Sequence, residues 1–146
     1  VMPAIDQPNY VMLEHHYELL ASLTTAGTVT GATTGTVTGV GKYRHIDILV
    51  DVTATGGATA TMDVYVDTRF DGTAYLNLAH SAIFTTAAVQ VLHMSRDGVG
   101  TNMALTADAG AGTVRGIGWG NDLRIRYTIG GATSTFNFRI WFNGIG

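Results

Sequence analysis

Cysteine is absent from the 146-residue chain, which also contains only two prolines, one lysine and two glutamates. Without cysteine there is no disulfide, no thiolate nucleophile and no thiolate metal site. Charged residues make up 13% of the sequence and the net charge is −3, so the chain lacks a basic surface for nucleic acid or an anionic membrane. No apolar run approaches the roughly 18 residues of a membrane-spanning helix, and residues 1–10 lack the basic cluster of a signal peptide. The length of the chain fits a single domain, and its composition alone does not indicate a function.

Apolar and polar residues alternate at every second position in at least four segments: residues 46–52, 62–67, 123–129 and 136–143. Successive side chains of a strand point to opposite faces, so this alternation predicts strands of half-buried sheets. The last segment is the strongest, because its inner row is largely aromatic. Weaker strands are predicted over residues 19–30, 35–43, 74–84, 89–94 and 113–119. Glycine-rich turns between these segments favour an antiparallel β-sandwich or barrel over alternating strands and helices.

Two glycine-rich stretches carry further predictions. Residues 24–41 nearly repeat the pentapeptide Gly-Thr-Val-Thr-Gly, which fits either a flat hairpin with similar arms or a mobile loop. Residues 116–122 lack both the spacing of a dinucleotide-binding fingerprint and the Lys-Ser/Thr pair of a phosphate loop. A tight corner before the next strand is therefore the better interpretation of residues 116–122.

The first eighteen residues differ in character from the rest. Residues 10–20 have apolar side chains at helix-like spacing, which fits one or two helical turns, and a strand that begins near Tyr17 fits as well. The leading segment has too little apolar content to bury a core of its own. We therefore predict an extended N-terminal arm over residues 1–18, which docks on another surface, and a single folded domain over residues 19–146.

Residues with catalytic or metal-binding chemistry are scattered along the sequence. Four aspartates on the polar rows of two consecutive strands would share one outward face, and three arginines lie on later strands: Asp47, Asp51, Asp63, Asp67, Arg124, Arg126 and Arg139. Cross-strand ion pairs explain these residues better than a cation site. His80 and His93 would face each other across a hairpin centred near Thr86, but no third metal ligand lies nearby. No serine occupies a nucleophile elbow, so we expect no enzyme activity, no metal and no cofactor.

Surface aromatic residues are the remaining candidates for a binding site. The four aromatic candidates are Tyr65, Tyr75, Trp119 and Trp141. They could stack on sugars, but we favour a protein interface, because a surface rich in Thr, Gly and Ala with more Arg than Lys is typical of contact surfaces. The candidate contact residues of the arm are Met2, Pro3, Pro8 and Tyr10.

A recognisable order of strands and turns runs through residues 41–84. It consists of Gly-x-Tyr, an Ile/Val strand, a Thr/Ala/Gly turn, the run Met-Asp-Val-Tyr-Val-Asp-Thr, an Asp-Gly-Thr turn and a strand that carries Tyr75. This order resembles the small β-sandwich proteins encoded among the structural genes of tailed bacteriophages. The closing strands up to Phe142 are similar too, so the resemblance covers residues 37–142. The sequence departs from the family pattern in the arm and at residues 69–72, where Arg-Phe-Asp-Gly replaces a serine-containing turn.

The resemblance implies a capsid decoration, or cement, protein. Such a protein is an all-β, jelly-roll-like antiparallel β-sandwich, commonly a homotrimer, that sits on the capsid exterior and bridges neighbouring capsomers. Its partners would be the major capsid protein and further copies of itself, with neither nucleic acid nor membrane bound. The alternative is a carbohydrate- or receptor-binding module that uses the four aromatic residues. A third hypothesis, a shell-forming capsid protein of single jelly-roll type, is disfavoured by the short length and the lack of a basic interior arm.

Overall fold

The computed structural model describes residues 15–70, 72, 74–97, 105 and 107–146. This part of the chain contains one short 3-10 helix, Val40–Lys42, and nine β-strands. The strands are β1 His15–Ala26, β2 Val29–Thr38, β3 His45–Gly56, β4 Thr61–Arg69, β5 Tyr75–His80, β6 Ala88–Ser95, β7 Thr113–Val114, β8 Asp122–Gly130 and β9 Thr135–Ile145. Within the ranges given, no helix has the length and hydropathy needed to cross a membrane.

The strands form two antiparallel sheets. The four-stranded sheet has the order β1-β9-β3-β6, and the five-stranded sheet has the order β2-β8-β4-β5-β7. The first and last strands are therefore neighbours in one sheet, while the second and the second-to-last are neighbours in the other. Apart from the two-residue β7, this is the strand order of an eight-stranded jelly roll. The predicted fold class, an all-β antiparallel sandwich of jelly-roll-like form, is confirmed.

The core between the sheets is built from the alternating rows that the sequence predicts. In β9 the inner row is fully buried and consists of Phe136, Phe138, Ile140 and Phe142. Phe138 meets Tyr127 of β8 across the sandwich, with ring centroids 5.3 Å apart in an edge-on arrangement. The inner rows of β3, β4 and β8 are buried in the same way. The strand predictions over residues 46–52, 62–67, 123–129 and 136–143 are thus confirmed.

β1 starts earlier than the predicted domain boundary at residue 19. His15 already pairs with Ile145, and Glu18 pairs with Phe142 of β9. The helical interpretation is therefore wrong for residues 15–20, because pairing with β9 satisfies the backbone of this segment in the extended form. Residues 15–18 belong to the sheet and not to an arm. The rest of the predicted arm lies outside the described residues, and so do its candidate contacts Met2, Pro3, Pro8 and Tyr10.

Residues 24–41 form neither a hairpin nor a loop. A turn at Gly27, with φ of 82°, carries the chain from β1 in one sheet to β2 in the other, where β2 pairs with β8. The similar segments are therefore parts of one turn and one strand, and not two arms that pair with each other. By contrast, residues 116–121 do form the predicted corner, which leads directly into β8.

Gly120, in this corner, is a position where a side chain would collide with the backbone. A Cβ atom on Gly120 would lie against the carbonyl oxygen of Arg69, 2.8 Å from its carbonyl carbon and 3.0 Å from the Cα of Phe70. We expect Gly120→Ala to lower the free energy of unfolding, measured by urea denaturation, by about 1–3 kcal/mol, the usual cost of overpacking.

Gly116→Ala is the matched control for this substitution. A Cβ atom on Gly116 would meet no heavy atom within 4 Å, and its φ is not in the left-handed region. Gly116→Ala should therefore leave the free energy of unfolding nearly unchanged. Equal losses in both variants would contradict the steric explanation.

Candidate interaction surface

The outer face of the four-stranded sheet carries a continuous row of apolar side chains. The register places Leu19 opposite Trp141, Trp141 opposite Leu49, and Leu49 opposite Val91, so each of the four strands contributes one residue. We call these four residues the apolar row. Leu19 is 44% exposed, Trp141 37% and Val91 53%, although all three are large and hydrophobic. The row therefore presents apolar surface to solvent across the full width of the sheet.

Tyr17 and Val89 widen this apolar surface on either side of the row, and both are exposed. Tyr17 lies opposite Asn143, one level away from Trp141, and Val89 lies opposite Asp51. A groove of about 480 Å³ runs along the row between Tyr17 and Val91. The surface therefore combines apolar side chains with a concave groove, a combination that suits a protein contact surface.

Polar residues border the apolar row on both sides and are already paired within the chain. On one side, Nδ1 of His93 lies 2.5 Å from Oδ1 of Asp47, and Nε2 of His15 lies 2.8 Å from Oδ1 of Asn143. On the other side, Arg139 donates a 2.9 Å hydrogen bond to Asp51. A partner that covers the apolar row would therefore meet Arg139 and Asp51 already paired as charge and counter-charge, which avoids the costly burial of an unpaired charge there.

The outer face of the five-stranded sheet is charged, and its charges pair with one another. Asp67 is 1% exposed and accepts hydrogen bonds from Arg124 at 2.7 Å, from Arg126 at 2.6 Å and from Asn77 at 3.0 Å. Burial alone would raise the pKa of Asp67, but the hydrogen bonds from Arg126, Asn77 and Arg124 outweigh it and hold this pKa below its ordinary value. Arg126 also donates to Asp108. This face is a closed network that stabilises the sheet.

Tyr65 and Tyr75 lie on this charged face and have stacking partners within the chain. The guanidinium of Arg126 is 4.5 Å from the ring centre of Tyr65, and that of Arg124 is 4.2 Å from the ring centre of Tyr75. The ring of His80 also stacks on Tyr65, at 4.2 Å. A sugar would have to displace these groups, so neither tyrosine is an open stacking platform.

The two tryptophans have opposite environments. Trp119 is 2% exposed, its indole N–H donates to the carbonyl oxygen of Val40 at 2.9 Å, and Arg96 lies over its ring. The prediction that Trp119 is a surface aromatic residue is therefore wrong, because the corner before β8 turns this ring into the core and gives its N–H a partner. Trp141 does lie on the surface, in the apolar row. The four aromatic candidates thus do not form one site.

The four aspartates lie on two different sheets, so the prediction that they share one outward face is wrong. Asp47 and Asp51 belong to β3 in the four-stranded sheet, whereas Asp63 and Asp67 belong to β4 in the five-stranded sheet. The expected pairing with arginine is confirmed for Asp51, which contacts Arg139, and for Asp67.

His80 and His93 are likewise separated by the sandwich. β5 pairs with β4, and β6 pairs with β3, so the predicted hairpin around Thr86 does not exist. His80 contacts Asp63 at 3.0 Å, and His93 contacts Asp47. In the part of the chain that the structure describes, no three His, Cys, Asp or Glu side chains are grouped so that they could hold a metal ion.

Trp141 is the one residue of the apolar row that was predicted from the sequence as a contact residue. The missed signal is Leu49, the apolar exception between Asp47 and Asp51 on the outward row of β3.

A comparison with protein-family models, with curated proteins and with solved structures found no match to this chain.

Proposed function

We propose that this chain is a non-enzymatic structural protein of a virion, which decorates a phage capsid from the exterior and stabilises it by bridging neighbouring capsomers. The observation that carries the proposal is the apolar row, which crosses an exposed sheet face between two polar borders. Contiguous apolar patches with polar rims are typical of protein–protein contact sites. The resemblance of residues 37–142 to phage decoration proteins supports the virion as the place of that contact.

The contrast between the two outer faces supports a contact role. The five-stranded sheet pairs its outward charges internally, whereas the four-stranded sheet leaves aliphatic and aromatic side chains exposed. A charged content of 13% also suits a protein that is covered by neighbours, because a domain that stays in solution usually carries more charge on its surface. The jelly-roll order is compatible with this role but does not argue for it, since the same fold serves lectins and cupins.

Cosedimentation with capsids of the parent phage tests the proposal. We expect the full-length chain to sediment with capsids that lack it, and a variant without residues 1–14 to stay in the supernatant, because the predicted arm reaches a neighbouring subunit. The truncation stops at residue 14 because β1 begins at His15. The truncated chain should keep the circular-dichroism spectrum and the melting temperature of the full-length chain.

Two outcomes of this experiment would contradict the proposal in different ways. Equal binding of the truncated and full-length chains would contradict the role of the arm. A full-length chain that fails to sediment with capsids would contradict the capsid role itself. The homotrimer implied by the resemblance stays a prediction.

The alternative, a carbohydrate- or receptor-binding module, is supported only by Trp141 and its groove. Tyr65 and Tyr75 are engaged by arginines, and Trp119 is buried. Glycan binding that disappears in Trp141→Ala would favour this alternative over capsid decoration.

A further inference from the structure

The outer face of the four-stranded sheet consists of two halves that match each other. β1 and β9 form one half, β3 and β6 form the other, and the boundary between β9 and β3 passes through the middle of the apolar row. Consider two copies packed face to face around a two-fold axis that runs along this boundary. Each residue of one half then lies over the residue at the same level in the other half of the second copy.

This operation brings the four residues of the apolar row onto one another, while Tyr17 falls over His93 and Val89 over Ser22. Trp141 of one copy lies over Leu49 of the second, and Leu19 lies over Val91. Because the operation is symmetric, each of these contacts occurs twice. Trp141 falls at the centre of the contact, next to the axis, where buried aromatic anchors contribute most to binding.

The same operation matches the charged border. Arg139 and Asp51 lie opposite each other on β9 and β3, so Arg139 of each copy comes to lie over Asp51 of the other. Two arginines and two aspartates then form one neutral cluster beside the apolar centre. The side chain of Arg139 is still 48% exposed despite its bond to Asp51, so its guanidinium can reach the second copy.

A ring of copies would require a second, different surface that fits this face. The other outer face offers paired charges around Asp67 and rings covered by arginine, which do not match an apolar row. Of the two outer sheet faces, the one that fits the outer face of the four-stranded sheet is therefore the same face of another copy. Sheets that pack face to face with nearly aligned strands, about 30° apart, are a common arrangement within β-sandwiches.

We propose that the outer face of the four-stranded sheet is the contact of a homodimer, with a two-fold axis roughly parallel to the strands between β9 and β3. The proposal goes beyond capsid decoration, because it assigns the apolar row to a second copy and leaves capsid attachment to residues 1–14 and to surface outside this face. A homodimer differs from the homotrimer that the resemblance implies, and the test below distinguishes the two. The proposal holds whether or not the chain binds a capsid.

Light scattering coupled to size-exclusion chromatography, over a series of concentrations, tests the homodimer. The full-length chain should elute with the mass of two copies and dissociate on dilution. Trp141→Ala should weaken the dimer roughly 30-fold or more, as the loss of a central anchor does. Phe70→Ala removes another exposed aromatic side chain outside this face and should leave the dimer unchanged.

A charge exchange tests the symmetry. Arg139→Asp alone places like charges against each other in both halves of the contact, and Asp51→Arg alone does the same. Each variant should be monomeric at concentrations where the unmodified chain is dimeric. An equimolar mixture of the two variants restores opposite charges at both contacts and should form a heterodimer. Thermal denaturation confirms that each variant is folded.

Several results would overturn the homodimer: a trimer, a dimer that Trp141→Ala does not weaken, or a mixture of charge variants that stays monomeric. A full-length chain that is monomeric at all concentrations would also overturn it and would leave this face to a capsid protein or to residues 1–14. None of these measurements uses capsids, so failure here and failure of the capsid role are distinguished.

Discussion

Asp67→Asn is expected to lower the free energy of unfolding by about 3 kcal/mol, the lower end of the range for breaking a buried ion pair. The carboxylate is almost fully buried and lies between Arg124 and Arg126. Asparagine keeps the shape of the side chain, so the loss measures the missing charge and not a cavity. We place the loss at the lower end because both arginine side chains keep some exposure to water, which screens their charge.

The pH dependence of unfolding provides a second measurement of the same group. The folded-state pKa of Asp67 lies below its ordinary value. The ionised carboxylate therefore contributes its full stabilisation above the unfolded-state pKa, about 4, and this stabilisation is lost as the pH falls through the folded-state pKa. Urea denaturation between neutral pH and pH 3 should therefore show a smaller loss of stability on acidification for Asp67→Asn than for the unmodified chain.

Asp97→Asn is the control for this prediction. Asp97 pairs with Arg44, but both side chains are exposed, so water replaces the lost contact and the unfolding transition should move little. If Asp67→Asn and Asp97→Asn shift the transition equally, the buried network around Asp67 does not stabilise the sheet as described.

Trp119→Ala is expected to cost about 3–5 kcal/mol of unfolding free energy, as deletions of large buried aromatic side chains do. The substitution opens a cavity in the core and leaves the carbonyl oxygen of Val40 without the indole donor. It also removes the ring on which Arg96 lies. Urea denaturation followed by circular dichroism measures the loss without depending on tryptophan fluorescence.

Trp141→Ala is the matched comparison, because it removes the same side chain from an exposed position. At protein concentrations low enough to exclude association, Trp141→Ala should cost clearly less than Trp119→Ala, about 1–2 kcal/mol, because it loses its cross-strand contacts with Leu19 and Leu49 but leaves no buried cavity. A larger loss for Trp119→Ala than for Trp141→Ala would assign Trp119 to the core and Trp141 to the contact surface. A large loss for Trp141→Ala under these conditions would contradict that division.

The strands could be predicted from the sequence because alternation is a local property. The inner row of β9 is buried as its sequence indicates, and so are the rows over residues 46–52 and 62–67. The sheet to which a strand belongs is not local. Neighbours in sequence, such as β1 and β2 or β3 and β4, separate into different sheets. This is why the hairpin over residues 24–41 and the shared face of the aspartates were predicted wrongly.

The candidate site depends on register even more than the fold does. Leu19, Leu49 and Trp141 lie far apart in sequence, and each has at least one apolar residue directly beside it, so none of them stands out alone. Only the pairing of β9 with both β1 and β3 aligns them into one row. Trp119 was misplaced for a related reason. It lies in an irregular corner without alternation, where the sequence does not indicate which way a side chain turns.

The pairing of the first strand with the last has a mechanical consequence. His15 at the start of β1 lies beside Ile145 at the end of β9. A force that pulls these two ends apart acts on the hydrogen bonds between β1 and β9 one residue pair at a time. β1 therefore separates from β9 progressively, starting at His15 and Ile145. A load transmitted through the face of the sheet reaches both strands together and leaves the ladder closed. Tension between the two ends should therefore open the sandwich at this corner first.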